Sequence, residues 1–176
     1  MPADEVLEFY GLKGFTGKIR YGVTFVWRFM LDKLAFFCFV KSWRTTIHRM
    51  RGVKIGKGVY IGHEVMFDRV FTDQISIGDN TSIGDRTIIT AHANIPSDSK
   101  LKIIYPRKVM PTKIGKGVWI MPGVIITPGI TVGDESVIAT GAVVVKDVPS
   151  RCLVAGNPAK VIKDLSENDV FKNINK

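Results

Sequence analysis

The sequence predicts a mainly β protein: a parallel β-helix, triangular in section, of about four coils, with a helical N-terminal segment and a short C-terminal extension. Three observations predict it. From Ile114 onward the chain repeats every six residues, as IGKGVW, IMPGVI, ITPGIT, VGDESV, IATGAV and VVKDVP, and a fixed internal period takes precedence over local propensity. Each hexad opens on Ile or Val and holds a small or aliphatic fifth residue, which is neither helical periodicity nor strand alternation. Seventeen glycines and eight prolines in 176 residues supply the tight corners such a prism requires.

The N-terminal segment, residues 1–51, precedes the repeat. Its most apolar stretch, YGVTFVWRFMLDKLAFFCFV over Tyr21–Val40, carries Arg28, Asp32 and Lys33 at its middle. Three ionisable groups at a bilayer centre are expensive, so the stretch predicts an amphipathic helix rather than a spanning one. Such a helix either packs on the domain or lies in a membrane interface with the following basic residues on anionic headgroups. No acidic residue falls between Asp32 and Glu64, whereas Lys33, Lys41, Arg44, Arg49, Arg51, Lys54 and Lys57 do. The net charge of +9 admits nucleic acid, an anionic membrane or a polyanionic coenzyme as partner, with a solvated basic face as the plain alternative. No aromatic-basic interleaving or nucleic-acid motif accompanies the charge, so nucleic acid is not expected. Cys38 and Cys152 lie far apart, as two free thiols of a reducing cytosol would, and the start MPADE lacks a secretory signal; a cytoplasmic location is expected.

The β-helix domain spans 52–165. Earlier hexads begin at Ile55, Ile61 and Phe67 and again at Ile77, Ile83 and Ile89. The frame slips between them over Asp73–Ser76 and breaks after Ile95 until Ile114. Three hexads make a coil, giving coils over 55–72, 77–94, 114–131 and 132–149 and an excursion loop over 96–113. Strands of four or five residues are expected, stacking ~4.8 Å apart with the first hexad position pointing inward. A long loop of this kind in a compact domain is usually functional. Residues 166–176 form a C-terminal tail.

The run from Lys113 to Lys163, IGKGVWIMPGVIITPGITVGDESVIATGAVVVKDVP followed by AGNPAKVIK, resembles the sugar O-acetyltransferase branch of the hexapeptide-repeat acyltransferase family, which contains the maltose, galactoside and xenobiotic acetyltransferases. The preceding TAHAN resembles that family's histidine segment, and the resemblance covers roughly 52–165. It implies a left-handed β-helix, an exception to right-handed crossover. It also implies a homotrimer with sites in clefts between neighbouring prisms, acetyl-coenzyme A as co-substrate and no required metal. The expected reaction moves an acetyl group to a hydroxyl of a sugar or saccharide-like acceptor.

That transfer needs a base for the acceptor proton and donors for the developing oxyanion. Among His48, His63 and His92, the last stands at the fourth position of its hexad, directly before the excursion, and matches the family's catalytic place. Imidazole titrates near working pH. The resemblance gives His63 and Asp73 to the acceptor, with an exposed corner residue as the alternative for each. It sets Trp119 along the acetyl and pantetheine channel, or at a subunit interface. Thr140 and Gly141 fall where pantetheine runs, and Lys146, Lys160 and Lys163 where cations meet the nucleotide phosphates. Met121 and Pro122 occupy the oxyanion corner, where relatives have Gly and a small residue. Proline has no N–H, so the donor is either the Met121 amide or lies elsewhere. The glycines form neither a dinucleotide fingerprint nor a P-loop.

Three other readings compete. Zinc chemistry like that of the γ-class carbonic anhydrases needs three converging histidines, and no short-spaced pair exists here. A non-catalytic β-helix assembly module has no use for a histidine at the loop junction. An amine acceptor on an amino sugar would be served by the same base.

Overall fold

The computed structural model describes residues 3–96, 99–105 and 108–173. After three helices, α1 (Ala3–Phe9), α2 (Gly14–Phe37) and α3 (Lys41–Met50), the chain winds through short strands. The first coil holds β1 (Lys54–Ile55), β2 (Tyr60–Ile61) and β3 (Met66–Phe67). A 3-10 turn at Thr72–Gln74 leads to the second, β4 (Ile75–Ile77), β5 (Ser82–Ile83) and β6 (Ile88–Ile89). The third is β7 (Thr112–Ile114), β8 (Trp119–Ile120) and β9 (Ile125–Ile126), and the fourth β10 (Thr131–Val132), β11 (Val137–Ile138) and β12 (Val143–Val144). The hydrogen-bonded ladders are two or three residues long, shorter than the expected four or five. Turn geometry takes the rest of each hexad.

Each coil lays one strand on each of three parallel stacks, β1-β4-β7-β10, β2-β5-β8-β11 and β3-β6-β9-β12. Registers run Ile55 to Ile77 to Ile114 to Val132 on the first face and Ile61 to Ile83 to Ile120 to Ile138 on the second. β13 (Cys152–Ala155) adds to β11, and β14 (Lys160–Asp164) returns antiparallel to β13. α5 (Asp169–Asn173) follows. Residues 174–176 of the expected tail lie outside the described residues.

The hexad explains the core. Its first residues from Ile61 through Val144 are buried, and most fifth residues, from Val65 to Val148, are buried with them. At about 1.5–3 kcal/mol per fully buried aliphatic side chain, this ladder dominates stability. The second hexad position is glycine for a steric reason. A Cβ on Gly56, Gly62 or Gly115 would stand 2.3 Å from the carboxylate of Asp79, Asp85 or Asp134 in the next coil. Those carboxylates accept the amides of Lys57, His63 and Lys116, each at 2.7 Å, and tie the corners together. Fourth positions take positive φ at Gly58, Glu64, Asn80, Arg86, Gly117, Gly123, Gly129, Glu135 and Gly141. His92, also a fourth position, does not, because there the chain departs into the excursion.

The N-terminal helices close the first coil. A strand at the end of a β-helix exposes unpaired backbone groups. Here Arg44 donates to the Ile61 carbonyl (2.7 Å), Thr45 to Val59, and Arg49 to Ile55 and Gly56. Arg44 and Arg51 are buried, Arg51 against Asp32 at 2.8 Å. Arg44, Arg49 and Arg51 of the basic run are thus structural, while Lys33, Lys41, Lys54 and Lys57 stay exposed as a solvated face. α2 is pinned by Arg28 to the Val70 carbonyl (2.8 Å) and to Asp73 (3.3 Å). Many of its apolar side chains still face outward, as do Phe37, Phe39 and Trp43 at its junction with α3. No described helix is long and apolar enough to cross a membrane.

Candidate active site

His92 follows β6 and sits above the end of β3. The stacking of Phe67 under Ile89 brings Asp68 beneath it. The Asp68 side chain is fully buried and its Oδ2 lies 2.5 Å from His92 Nδ1. The same carboxylate accepts the amides of Val70, Phe71 and Ala91 at 2.9–3.0 Å. Burial pushes its pKa up, but the bonds from His92 and from the Phe71 and Ala91 amides outweigh this and hold it below the usual carboxylate range. An ionised carboxylate only accepts, so a hydrogen of His92 stands on Nδ1 and Nε2 points away from Asp68. The His92 side chain is 17% exposed and leans on the Phe71 ring, centroids 5.2 Å apart.

The excursion returns over this spot. His92 pairs antiparallel with Val109, Met110 donates its amide to Ala91, and Ala93 donates to Lys108. The loop is not featureless: it carries a short helix, α4 (Leu101–Ile104), whose Ile103 and Ile104 are exposed. A polar, water-accessible imidazole thus lies at the foot of a loop, oriented by a buried anion. That arrangement can take a proton from a hydroxyl and return it.

The other predicted residues divide over two corners of the prism. The corner after the second face holds His63, Met121, Pro122, Thr140 and Gly141. Gly141 donates to the Pro122 carbonyl at 3.1 Å, and the Thr140 hydroxyl meets the Met121 sulfur at 3.7 Å. His63, Pro122 and Thr140 line one open groove with Asp85 and Arg86. His63 Nε2 accepts from the buried Arg44 at 2.9 Å, which leaves its proton on Nδ1. Trp119 is half exposed on the second face. Lys160 and Lys163 are exposed on β14, while Lys146 is exposed after β12, at the corner shared with His92. Within one chain, then, His92 and the Met121–Thr140 corner do not meet.

Two expectations change. The Met121 amide donates to the Ile138 carbonyl at 2.9 Å within the coil ladder, so it is not free to hold an oxyanion. Asp73 is engaged on both oxygens, by Tyr10 (2.5 Å) and Arg28 on one and Gln74 (2.8 Å) on the other. It ties α1 and α2 to the first coil instead of pointing into an open cleft. Burial raises Asp73, but the bonds from Tyr10 and Gln74 and the charge of Arg28 leave it below the ordinary carboxylate range, while burial and Asp73 push the Tyr10 phenol well above its usual value. His48 is buried under the first coil, out of reach of either corner. Among the described residues, no group of three or more His, Cys, Asp or Glu side chains gathers as a metal site would require.

Residues 111–146 match the family described as bacterial transferase hexapeptide (six repeats). The chain is 32% identical over 117 residues to galactoside O-acetyltransferase of Escherichia coli, an alignment covering 66% of this chain and 56% of that one. A maltose O-acetyltransferase structure from Clostridium difficile matches at 29% identity and a TM-score of 0.57, covering 84% of this chain and 89% of that one. A hexapeptide-repeat acetyltransferase from Vibrio cholerae, solved with acetyl-coenzyme A, shares the fold at 23% identity and a TM-score of 0.63, covering 87% and 92%. The chain spans about half the length or less of the first curated relatives it matches. The chain shares the left-handed parallel β-helix of these hexapeptide-repeat proteins. Among the matched proteins its likeness runs to the sugar O-acetyltransferases.

Proposed function

We propose that this protein transfers an acetyl group from acetyl-coenzyme A to a hydroxyl of a saccharide acceptor, with His92 as general base. The observation that carries the reading is the Asp68–His92 pair at the loop junction. His92 Nε2 takes the hydroxyl proton as the acceptor oxygen attacks the thioester carbonyl. The tetrahedral intermediate then collapses, the carbon–sulfur bond breaks, and the imidazolium returns the proton to the departing thiolate. Asp68 does not touch the reactants; it fixes the ring and stabilises the imidazolium. An alcohol must lose its proton as it attacks, whereas a neutral amine attacks without prior deprotonation. A base held this firmly therefore favours a hydroxyl, and the named activities of the galactoside and maltose relatives agree.

The division of residues between two corners supports a homotrimer. In it, the His92 corner of one prism faces the Met121–Thr140 corner of the next, forming one cleft. Trp119, Thr140 and Gly141 then line the pantetheine arm, with Met121 and Pro122 beside it, and Lys146, Lys160 and Lys163 meet the phosphates. The Thr140 amide, which donates to no acceptor among the described residues, replaces Met121 as oxyanion donor. His63 stands at the rim of this cleft, and Asp73 acts on the acceptor through the side chains it positions. We place the enzyme in the cytoplasm, at the inner membrane surface. The exposed Phe39 (83%) and Trp43 (67%) support that peripheral contact.

The test is release of coenzyme A thiol from acetyl-coenzyme A across a panel of sugars and glycolipid precursors. Acceptor-dependent release with an alkali-labile ester product is expected. An alkali-stable amide would move the reading to amino sugars, and absence of coenzyme A binding would leave only an assembly role.

A further inference from the structure

A second cavity lies two aromatic rings away from His92. The Phe71 ring, 5.2 Å from His92, stacks on Tyr10 with centroids 5.8 Å apart and planes within 19°. Tyr10 forms part of the wall of a cavity of about 220 Å³ between α2 and the Arg69–Val70 segment of the first coil. Arg20, Arg28 and Arg69 line it with Tyr21 and Thr24, and no carboxylate does. The volume is below the ~300–1,000 Å³ of pockets that enclose larger ligands, so it suits one charged group with part of a ring.

The charges are poorly compensated. Arg28 is held by Asp73 and by the Val70 carbonyl, which fixes its guanidinium at the wall. Arg69 reaches Asp32 only at 3.7 Å, while Asp32 makes its closer pair with Arg51 at 2.8 Å. Arg20 forms no ion pair among the described residues. Three guanidinium groups thus face a small cavity against two carboxylates behind the wall, Asp73 and an Asp32 that is shared with Arg51. Forked guanidinium donors match phosphate oxygens bidentately, and tyrosine rings offer a face for a sugar. The site also stands at the first-coil end of the prism, away from Lys160 and Lys163 on β14, so it is distinct from the residues assigned to the phosphates of coenzyme A.

We propose that this cavity binds the phosphate of a phosphorylated saccharide acceptor, with Arg20 and Arg69 as movable ligands and Arg28 as the fixed one. The sugar would then leave the cavity past Tyr10 and reach His92 around the Phe71 ring, which is itself buried. The sugar half of this inference rests on the acetyl-transfer reading; the anion half does not.

The experiment is calorimetric titration of the full chain, saturated with coenzyme A, with pyrophosphate, glucose 1-phosphate and glucose. Glucose 1-phosphate is expected to bind about tenfold or more tighter than glucose, as loss of a charge-assisted bond implies. Arg20→Gln with Arg69→Gln should erase that advantage and weaken pyrophosphate similarly, leaving coenzyme A affinity unchanged. His92→Ala should leave phosphate binding intact. A further arm joins the same sugar to a short isoprenyl diphosphate: tighter binding than the free sugar phosphate assigns a lipid-linked acceptor, and equal binding a soluble one. Wild-type protein that binds neither anion better than glucose, or a double variant that binds both as wild type does, overturns the proposal. Failure of the acetyl-transfer reading would look different, as lost coenzyme A binding with the arginine-dependent anion binding intact.

Discussion

The Asp68 carboxylate reaches up one coil to His92, Oδ2 to Nδ1 at 2.5 Å, while also accepting three backbone amides. The pair therefore has a fixed protonation pattern, with the hydrogen on Nδ1. Asp68→Asn breaks that pattern. An asparagine whose oxygen still serves Val70 and Phe71 turns its NH2 toward His92, so the ring must shift its proton to Nε2. The expected outcome is a fall in kcat of ~10²–10⁴-fold, with KM for acetyl-coenzyme A little changed. Nitrogen NMR of the imidazole should show the exchanged tautomer. An unchanged tautomer with wild-type kcat would remove Asp68 from the mechanism.

His48 sets an acid limit on stability. It is buried, and burial together with the positive charges of Arg51 and Arg44 pushes it down to about 3. The folded state keeps it neutral, whereas the unfolded chain protonates it near its ordinary value. Between about pH 6.5 and 3 the unfolded state thus binds the extra proton, so stability falls as pH drops through that window, by up to about 1.4 kcal/mol per unit. Denaturant midpoints measured from pH 7 to 4 should show this slope, and His48→Gln should flatten it. A slope unaffected by the substitution would place the acid sensitivity elsewhere, with Asp68 and Asp73 the groups that lose stability at still lower pH.

The inward ladder is the source of stability, so truncation within it is costly. Ile83 is fully buried between Ile61 and Ile120. Ile83→Ala is expected to cost about 2–5 kcal/mol, read as a lowered denaturation midpoint, with no change in coenzyme A affinity in the folded fraction.

Exposed apolar residues at the α2–α3 elbow predict surface activity. Phe39→Ser with Trp43→Ser should abolish flotation of the full chain with vesicles containing anionic lipid, and should not alter turnover of a soluble acceptor. Equal flotation of both proteins would exclude membrane contact through this elbow. A change of oligomeric state in the variant would assign the elbow to a subunit interface instead.

The architecture was legible because a six-residue period leaves a side-chain record that no helix or alternating strand can imitate. The position of His92 was legible as a candidate because it ends that record where the loop departs. Its partner carries a single mark in the sequence. Asp68 occupies the second position of FDRVFT, where IGKGVY and IGHEVM carry glycine, so a charged group replaces the residue that close stacking normally demands. The engagement of the Met121 amide and of Asp73 was invisible for a different reason. Hydrogen-bond occupancy depends on which coil lies above and on how α1 and α2 dock, neither of which a local pattern encodes. The basic run is legible only as charge, which does not reveal that Arg44 and Arg51 turn inward to serve carbonyls and Asp32.

The most direct measurement is single-turnover acetyl transfer by His92→Ala, with coenzyme A affinity measured on the same preparation. Loss of ~10²–10⁴-fold in the chemical step with coenzyme A binding retained is the predicted result. Transfer at the wild-type rate would contradict a general base at position 92.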